Sequence, residues 1–420
     1  MKKILWFSNC IQSYGTNNAS GSWLFSMARL LLSTGKIHLV NITKRRSGAT
    51  MDVKHNIIGD HFEEYILPNW ETVKNGWPSD ENCNKIKELC ATVAPDIVHV
   101  WGVENYFCTL VPTFNLPVPT LLEIQGLHAP CADVYYGDLS IRETLACFGL
   151  REILFPHKKS IYKDKSKMRR SGKTDEKAIK LYSHISTQSR WIRDRISLIN
   201  NDAHIYETGM SIREEFWKAD KWEYEGKDKD FYCSAAGPAP YKSIQTAIRS
   251  LKIVSRKYPD TKLYIIGNFK DNDWMHQPGY LTFLKKLIKN LGLENNVIFT
   301  GSLNASEIVK TMHKCIGMIQ TSYVESYSLA VAEAQAVGIP SIISYAGAMP
   351  ELAENYKSGL FFSPGDSISC ASKMIALIED KILAENISEG AYELAHNRNN
   401  NDFVVSRQME IYETMTSYAQ

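Results

Sequence analysis

The sequence predicts an α/β protein made of two doubly wound domains. Three observations carry this expectation. The 420 residues exceed one average domain. Short apolar strands alternate with amphipathic helices along most of the chain, the pattern of parallel sheets covered by helices. A polar, charged stretch, "KADKWEYEGKDKD", breaks this alternation near mid-chain. We therefore expect a first domain over 1–210 and a second over 211–402, with a helical stretch at 403–420 able to pack back on the first.

In the first half, "KILWFSN" (3–9) and "IHLVNIT" (37–43) read as strands flanking a helix near 21–35. "DIVHVWG" (96–102) and "VPTLLEIQG" (118–126) continue the pattern. The second half supplies "FYCSAAG" (231–237), "KLYIIGN" (262–268), "NVIFTG" (296–301), "IGMIQ" (316–320), "PSIIS" (340–344) and "GLFFS" (359–363). Between them, "YKSIQTAIRSLKIVSRKY" (241–258) places Ile244, Ala247, Ile248 and Leu251 on one helical face. Ligands of open parallel sheets sit at the carboxyl ends of the strands, so two such domains facing each other would enclose a cleft.

Composition narrows the function classes. With 44% hydrophobic residues, 22% charged residues and a net charge of +2, the chain has no global basic excess of the kind nucleic acid demands. No apolar run is long enough to span a bilayer, and "MKKILWFSN" reads as a strand rather than a signal peptide. The nine cysteines are scattered, odd in number and without a CxxC pair, which argues against a disulfide framework or structural zinc. Reduced thiols fit a cytoplasmic protein.

The segment "TSYVESYSLAVAEAQAVG" (321–338) brackets core-like residues between Glu325 and Glu333. A helix is expected from about Ser326 to Gly338, where Gly and then Pro340 stop it. Glu325 would sit at the loop-to-helix junction and Glu333 about two turns deeper. The amides of Ser326, Tyr327, Ser328 and Leu329, with the helix dipole, favour an anion such as a pyrophosphate. Carboxylates accept hydrogen bonds from sugar hydroxyls. A pyrophosphate between two hydroxyl-bearing rings is a nucleotide-sugar. The same pair also reads as a dipole-stabilising Glu325 and a surface Glu333.

The wider stretch "TSYVESYSLAVAEAQAVGIPSIISYAGAMPELAENYKSGLFFSPGD" resembles the donor-binding region of the retaining glycosyltransferases of family 4. The resemblance runs through Ser322, Glu325, Tyr327, Leu329, Glu333, Ala334, Gly338, Pro340, Gly347, Pro350, Glu351, Gly359, Leu360, Pro364 and Asp366. "AAGPAPYKSIQTAI" is similar to the strand–helix turn where that family binds donor phosphates through an Arg and a Lys. Lys242 matches the Lys. The Arg position falls at Gly237 or Pro238, and Arg213 is an alternative cation. The resemblance is close in the second half and loose in the first.

This resemblance implies the GT-B fold, two doubly wound Rossmann-like domains facing across a cleft. It implies a metal-independent transferase that moves a hexosyl or N-acetylhexosaminyl group from a nucleoside-diphosphate sugar to a glycan or lipid-linked acceptor, with retention, in polysaccharide or glycolipid biosynthesis. Glu333 would bind the ribose and Glu325 the transferred sugar. Gly237, Lys242 and the amides of 326–329 would bind the pyrophosphate, Lys242 also stabilising the leaving group. No metal or other cofactor is implied.

Gln125, where many members carry a His, and the nearby His128 are candidate sugar or acceptor contacts. Gly21 is another, in the glycine-containing loop "NCIQSYGTNNASGS" after the first strand. That loop lacks GxGxxG, which disfavours a dinucleotide dehydrogenase. The run 157–180 carries ten Lys or Arg against three acids. It reads as a solvated surface loop or as a peripheral contact with the anionic inner face of the cell membrane. The other functional readings are a GT-B epimerase or phosphorylase and a non-catalytic nucleotide-sugar binder.

Overall fold

The computed structural model describes residues 1–14, 22–45, 52–73, 76–148, 150–155, 160–226, 229–269 and 277–417. The chain forms two compact units. One contains Met1–Leu127, Ser171–Ser211 and Asn399–Gln420; the other contains His128–Arg170 and Ile212–Arg398.

The first unit holds β1 (Lys2–Phe7), β2 (Ile37–Lys44), β3 (Lys54–Gly59), β4 (Phe62–Leu67), β5 (Ile97–Trp101), β6 (Thr120–Ile124), β7 (His184–Thr187) and β8 (His204–Glu207). They form one sheet in the order β3-β4-β2-β1-β5-β6-β7-β8. Every pairing is parallel except β3 with β4. Ile4, Leu5, Trp6 and Phe7 are all fully buried, as a strand covered on both faces requires. Their side chains alternate between two cores: Leu5 and Phe7 enter one, Ile4 and Trp6 the other.

The helix Asn401–Ser417 packs on the second of these cores through Val404, Ile411, Tyr412 and Met415. Hydrogen bonds tie it to the sheet, from Trp6 Nε1 to Tyr412 Oη (3.2 Å) and from Lys2 Nζ to Thr416 Oγ1 (2.7 Å).

The second unit holds β9 (Phe231–Ser234), β10 (Leu263–Ile266), β11 (Val297–Gly301), β12 (Gly317–Gln320), β13 (Ser341–Ser344) and β14 (Leu360–Phe362). All pair in parallel, in the order β11-β10-β9-β12-β13-β14. The chain runs outward from β9 through β10 to β11, then returns to place β12 on the other side of β9. The β9/β12 neighbours therefore form a topological switch point, where strand-end loops diverge and leave room for a ligand.

Three sequence expectations change. The single boundary near 210 becomes a chain that passes between the units after Leu127, Arg170, Ser211 and Arg398. The segment 128–170, expected with the first half, buries Tyr135, Leu139, Cys147 and Ile161 in the core of the second unit. The basic run is no loop in its described part but a helix, Ile161–Ile179. It holds Ile161, Ala178 and Ile179 buried while its Lys and Arg side chains stay at the surface. Residues 157–159 of that run lie outside the described residues, as does Gly21.

Candidate functional site

The site is built at the ends of β9 and β12. After β9 the chain passes half-buried Gly237 and makes a tight turn at Pro240–Lys242. Ser243 follows in the left-handed region, at φ 52°, before the helix Ile244–Val254. That conformation costs a non-glycine residue of order 1–3 kcal/mol unless its surroundings hold it. Here they do: Ser243 Oγ donates to Asp138 Oδ1 at 2.6 Å. Asp138 also accepts from Gln245 Nε2 (2.5 Å), Thr246 Oγ1 (3.1 Å) and Arg249 Nη1 (2.5 Å). Segment 128–140 is thereby fastened to the first turn of the helix that follows Lys242.

The loop after β12 is fastened to this turn twice. Thr321 Oγ1 donates to Lys242 O and Tyr323 N to Tyr241 O, both at 2.8 Å. Its third attachment is to the loop after β13, where Ala348 N donates to Glu325 O at 2.8 Å. Gly347 makes that approach possible. Its φ is +59°, and a Cβ there would lie 2.3 Å from Glu325 O and 2.7 Å from Glu325 N. Only glycine fits without moving the Glu325 backbone.

Held in this way, Glu325 and Lys242 meet. Lys242 Nζ donates to Glu325 Oε1 at 2.7 Å, and the same oxygen accepts from Ser322 Oγ (2.7 Å) and Gln320 Nε2 (2.9 Å). Burial works against the Lys242 charge, but the neighbouring Glu325 charge outweighs it and holds the ammonium above its ordinary range. An ammonium has three N–H donors, and Glu325 takes one.

The helix expected from Ser326 begins later, at Leu329, with Ser328 as its N-cap and Gly338 in the left-handed region as its C-cap. Ser326 and Tyr327 belong to the loop instead. Ser326 and Ser328 can hydrogen-bond nearby backbone groups and so favour turns and caps over helix, and the apolar residues that hold the helix in the core begin beyond them. The first intrahelical N–H is that of Ala332, bonded to Ser328 O at 3.0 Å. The N–H groups of Leu329, Ala330 and Val331 thus point along the helix axis at its positive end.

Glu333 lies one turn into this helix and is not a surface residue. Its side chain is 6% exposed, and Arg213 grips it in a fork: Nε to Oε1 at 2.6 Å and Nη2 to Oε2 at 2.7 Å. Burial pushes the Glu333 carboxyl up and Arg213 pulls it back. Two of the five Arg213 N–H donors are thereby engaged by Glu333. Arg213 occupies the N-cap position of the short helix Glu214–Trp217 without a side-chain capping bond, just past the point where the chain enters the second unit.

Of the sequence candidates, Lys242 and Glu325 are in direct contact, and Gly237, Ser326, Tyr327, Ser328, Leu329 and Glu333 belong to the same unit. Gln125 follows β6 in the first unit, whereas His128 opens the helix His128–Asp133 of the second. Sequence reasoning missed Asp138, Gln320 and the pairing of Arg213. Gln320 alone left a signal, as the polar end of an otherwise apolar buried strand. Among the described residues, no group of three or more His, Cys, Asp or Glu side chains could hold a metal ion.

Comparison with known proteins agrees with this architecture. Residues 216–394 match the family Glycosyl transferases group 1, which is less than half of the chain. N-acetyl-alpha-D-glucosaminyl L-malate synthase of Bacillus anthracis is 30% identical over 173 residues, 41% of this chain and 42% of that protein. The chain thus aligns with less than half the length of that relative. Among solved structures, a sucrose-phosphate synthase from Thermosynechococcus elongatus superposes with a TM-score of 0.71 at 12% identity, over 100% of both chains. Anabaena Alr3699/HepE, solved in complex with UDP-glucose, gives 0.66 at 16% identity, over 99% of this chain and 100% of that one. At such identities the likeness shows the fold, which is GT-B with two Rossmann-like domains.

Proposed function

We propose that this chain is a retaining, family 4 type glycosyltransferase that moves a sugar from a nucleoside-diphosphate sugar to a glycan or lipid-linked acceptor. The observation that carries the reading is the Lys242–Glu325 pair at the β9/β12 switch point, beside the start of the helix Leu329–Val337. The diphosphate lies against the first-turn amides of that helix and the N–H groups of Lys242 that Glu325 does not take. Glu325, with one oxygen held by three donors, offers the other to a sugar hydroxyl. Glu333 accepts from the ribose hydroxyls on lone pairs that the Arg213 fork leaves over.

In the reaction, the anomeric C–O bond to the diphosphate breaks while the acceptor oxygen bonds to the same carbon. The acceptor proton passes to a diphosphate oxygen on the same face, so the configuration is retained. Lys242 stabilises the charge that develops on the leaving diphosphate. The carboxylates orient the donor and are not a glycosidase acid/base pair. Cationic side chain and helix terminus together do the electrostatic work without a metal, and the chain acts in the cytoplasm at the inner face of the cell membrane.

The test is a thermal-shift screen of the full chain against nucleoside diphosphates and nucleotide-sugars, since a bound ligand raises apparent stability. It is followed by transfer assays on the best donor. Lys242→Ala and Glu333→Gln should each weaken donor binding by about 1.5–3 kcal/mol. Unchanged donor affinity in both sinks the site assignment. Inversion at the transferred anomeric carbon, read by NMR of the product, sinks the retaining mechanism.

A further inference from the structure

The short helix Ile141–Ala146 of the second unit is inverted. Its start is well made: Ser140 Oγ accepts from Glu143 N at 3.3 Å, and Glu143 Oε2 accepts from Ser140 N at 2.9 Å, a complete capping box. The polar side of the helix faces the protein. Glu143 pairs with Arg249, and Thr144 O accepts from Tyr162 Oη at 2.9 Å. None of its residues is buried. Ile141, Leu145 and Phe148 recur at the spacing of one helical face and are 82%, 61% and 47% exposed. Leu154, the last residue of the next helix, Leu150–Leu154, is 57% exposed. A surface helix ordinarily turns its apolar face to the core. Here the polar face is tethered and the apolar face is presented.

A cationic row accompanies it. Phe148 lies edge-on to Tyr162, with ring centroids 5.9 Å apart, which brings the first turn of the helix Ile161–Ile179 against this element. From there Lys163, Lys167 and Arg170 follow at i, i+4 and i+7, all exposed, and Arg169 is exposed beside them. Arg142 is exposed next to Ile141. Apolar residues on one side and Lys and Arg beside them are the makeup of elements that lie in the headgroup region of a bilayer.

We propose that Ile141, Leu145, Phe148 and Leu154, with Arg142, Lys163, Lys167 and Arg170, dock this chain on an anionic lipid surface. The apolar residues enter the boundary between headgroups and acyl chains, and the basic residues pair with lipid phosphates. Among the described residues no helix is long and apolar enough to cross a membrane. The docking proposed is therefore interfacial. It stands independently of the transferase reading, since lipid binding requires no turnover.

Cosedimentation of the full chain with vesicles tests it. Vesicles of phosphatidylglycerol and phosphatidylcholine in equal parts should bind the protein. Those of phosphatidylcholine alone should bind at least roughly tenfold more weakly, given about a tenfold change in affinity for each 1.4 kcal/mol. Ile141→Ser with Leu145→Ser should lose at least about tenfold on the mixed vesicles, and Lys163→Gln with Lys167→Gln a comparable factor. The residual binding of the basic-residue variant should respond less to salt. These side chains are exposed, so melting temperature and nucleotide-induced thermal shift should stay at wild-type values. Wild-type protein that ignores both vesicles overturns the proposal, as does an apolar variant that binds like wild type. A dimer in solution that the apolar variant dissociates would assign this face to a second copy and overturn it too.

Discussion

Replacing Arg213 with Met gives the sharpest test of how the second unit is organised. Both side chains of the Arg213–Glu333 pair are largely removed from water, at 14% and 6% exposure. Met keeps most of the aliphatic stem and removes the guanidinium. Deleting one partner of a buried ion pair costs about 3–5 kcal/mol, because the other charge stays buried without compensation. Glu333 answers by taking up a proton, since burial pushes its carboxyl up even with Arg213 in place.

The sign of the pH effect follows. With the folded carboxyl raised above its unfolded value, the native state binds more protons than the unfolded state between the two. Stability in the variant therefore falls as pH rises through that window. The deficit of Arg213→Met against wild type should be smallest near the ordinary carboxylate range and should grow toward neutral pH. Urea denaturation across that range measures it. Arg213→Met combined with Glu333→Gln should recover much of the loss, because no charge is then left buried. A deficit that does not change with pH, or a double variant as unstable as the sum of the singles, would refute the reasoning.

The remaining predictions address the other attachments. Gly347→Ala must displace the Glu325 backbone, so donor affinity and melting temperature should fall together, read by thermal shift with and without nucleotide. Asp138→Ala removes four hydrogen bonds at the start of the helix Ile244–Val254 and should cost at least about 2 kcal/mol in chemical denaturation, Asp138→Asn less. Glu123, fully buried beside Ser186, has its carboxyl raised by burial to about 8. The folded state therefore favours the protonated form, and wild-type stability should decline as pH climbs from the carboxylate range toward that value. Glu123→Gln should flatten the decline; a variant with the wild-type pH profile would contradict a buried neutral Glu123.

Much of the architecture was legible because buried parallel strands announce themselves. "KLYIIGN" and "PSIIS" contain the observed strands β10 and β13, and "KILWFSN" covers all of β1 but its first residue, Lys2. The strands that escaped notice lack that signature. β3 carries Lys54, His55 and Asn56 on an exposed edge, paired only with β4. β7, "HIST", carries buried Ser186 bonded to Glu123, a polar solution that apolar patterning does not register. The repeated passage of the chain between units was invisible for another reason. "HAPCADVYYGDLS" has no composition break, and only its contacts, Asp138 on the Ile244–Val254 helix foremost, decide which core it joins.

The candidate site divides along the same line. Its carboxylates lie eight positions apart in one segment, so the sequence displays them together. Their cations come from elsewhere: Lys242 is 83 positions from Glu325, and Arg213 is 120 from Glu333. Sequence could name Lys242 through a resemblance, but it could not show that both cations are already paired. That pairing bears on donor binding. On the proposed reading, a diphosphate meets a Lys242 with one donor engaged and an Arg213 with two of its five donors on Glu333. Much of its charge must then be met by the first-turn amides of the helix Leu329–Val337. Donor affinity should accordingly fall less steeply with salt than in a site built from free cations, because fixed backbone dipoles release no counterions when the ligand arrives.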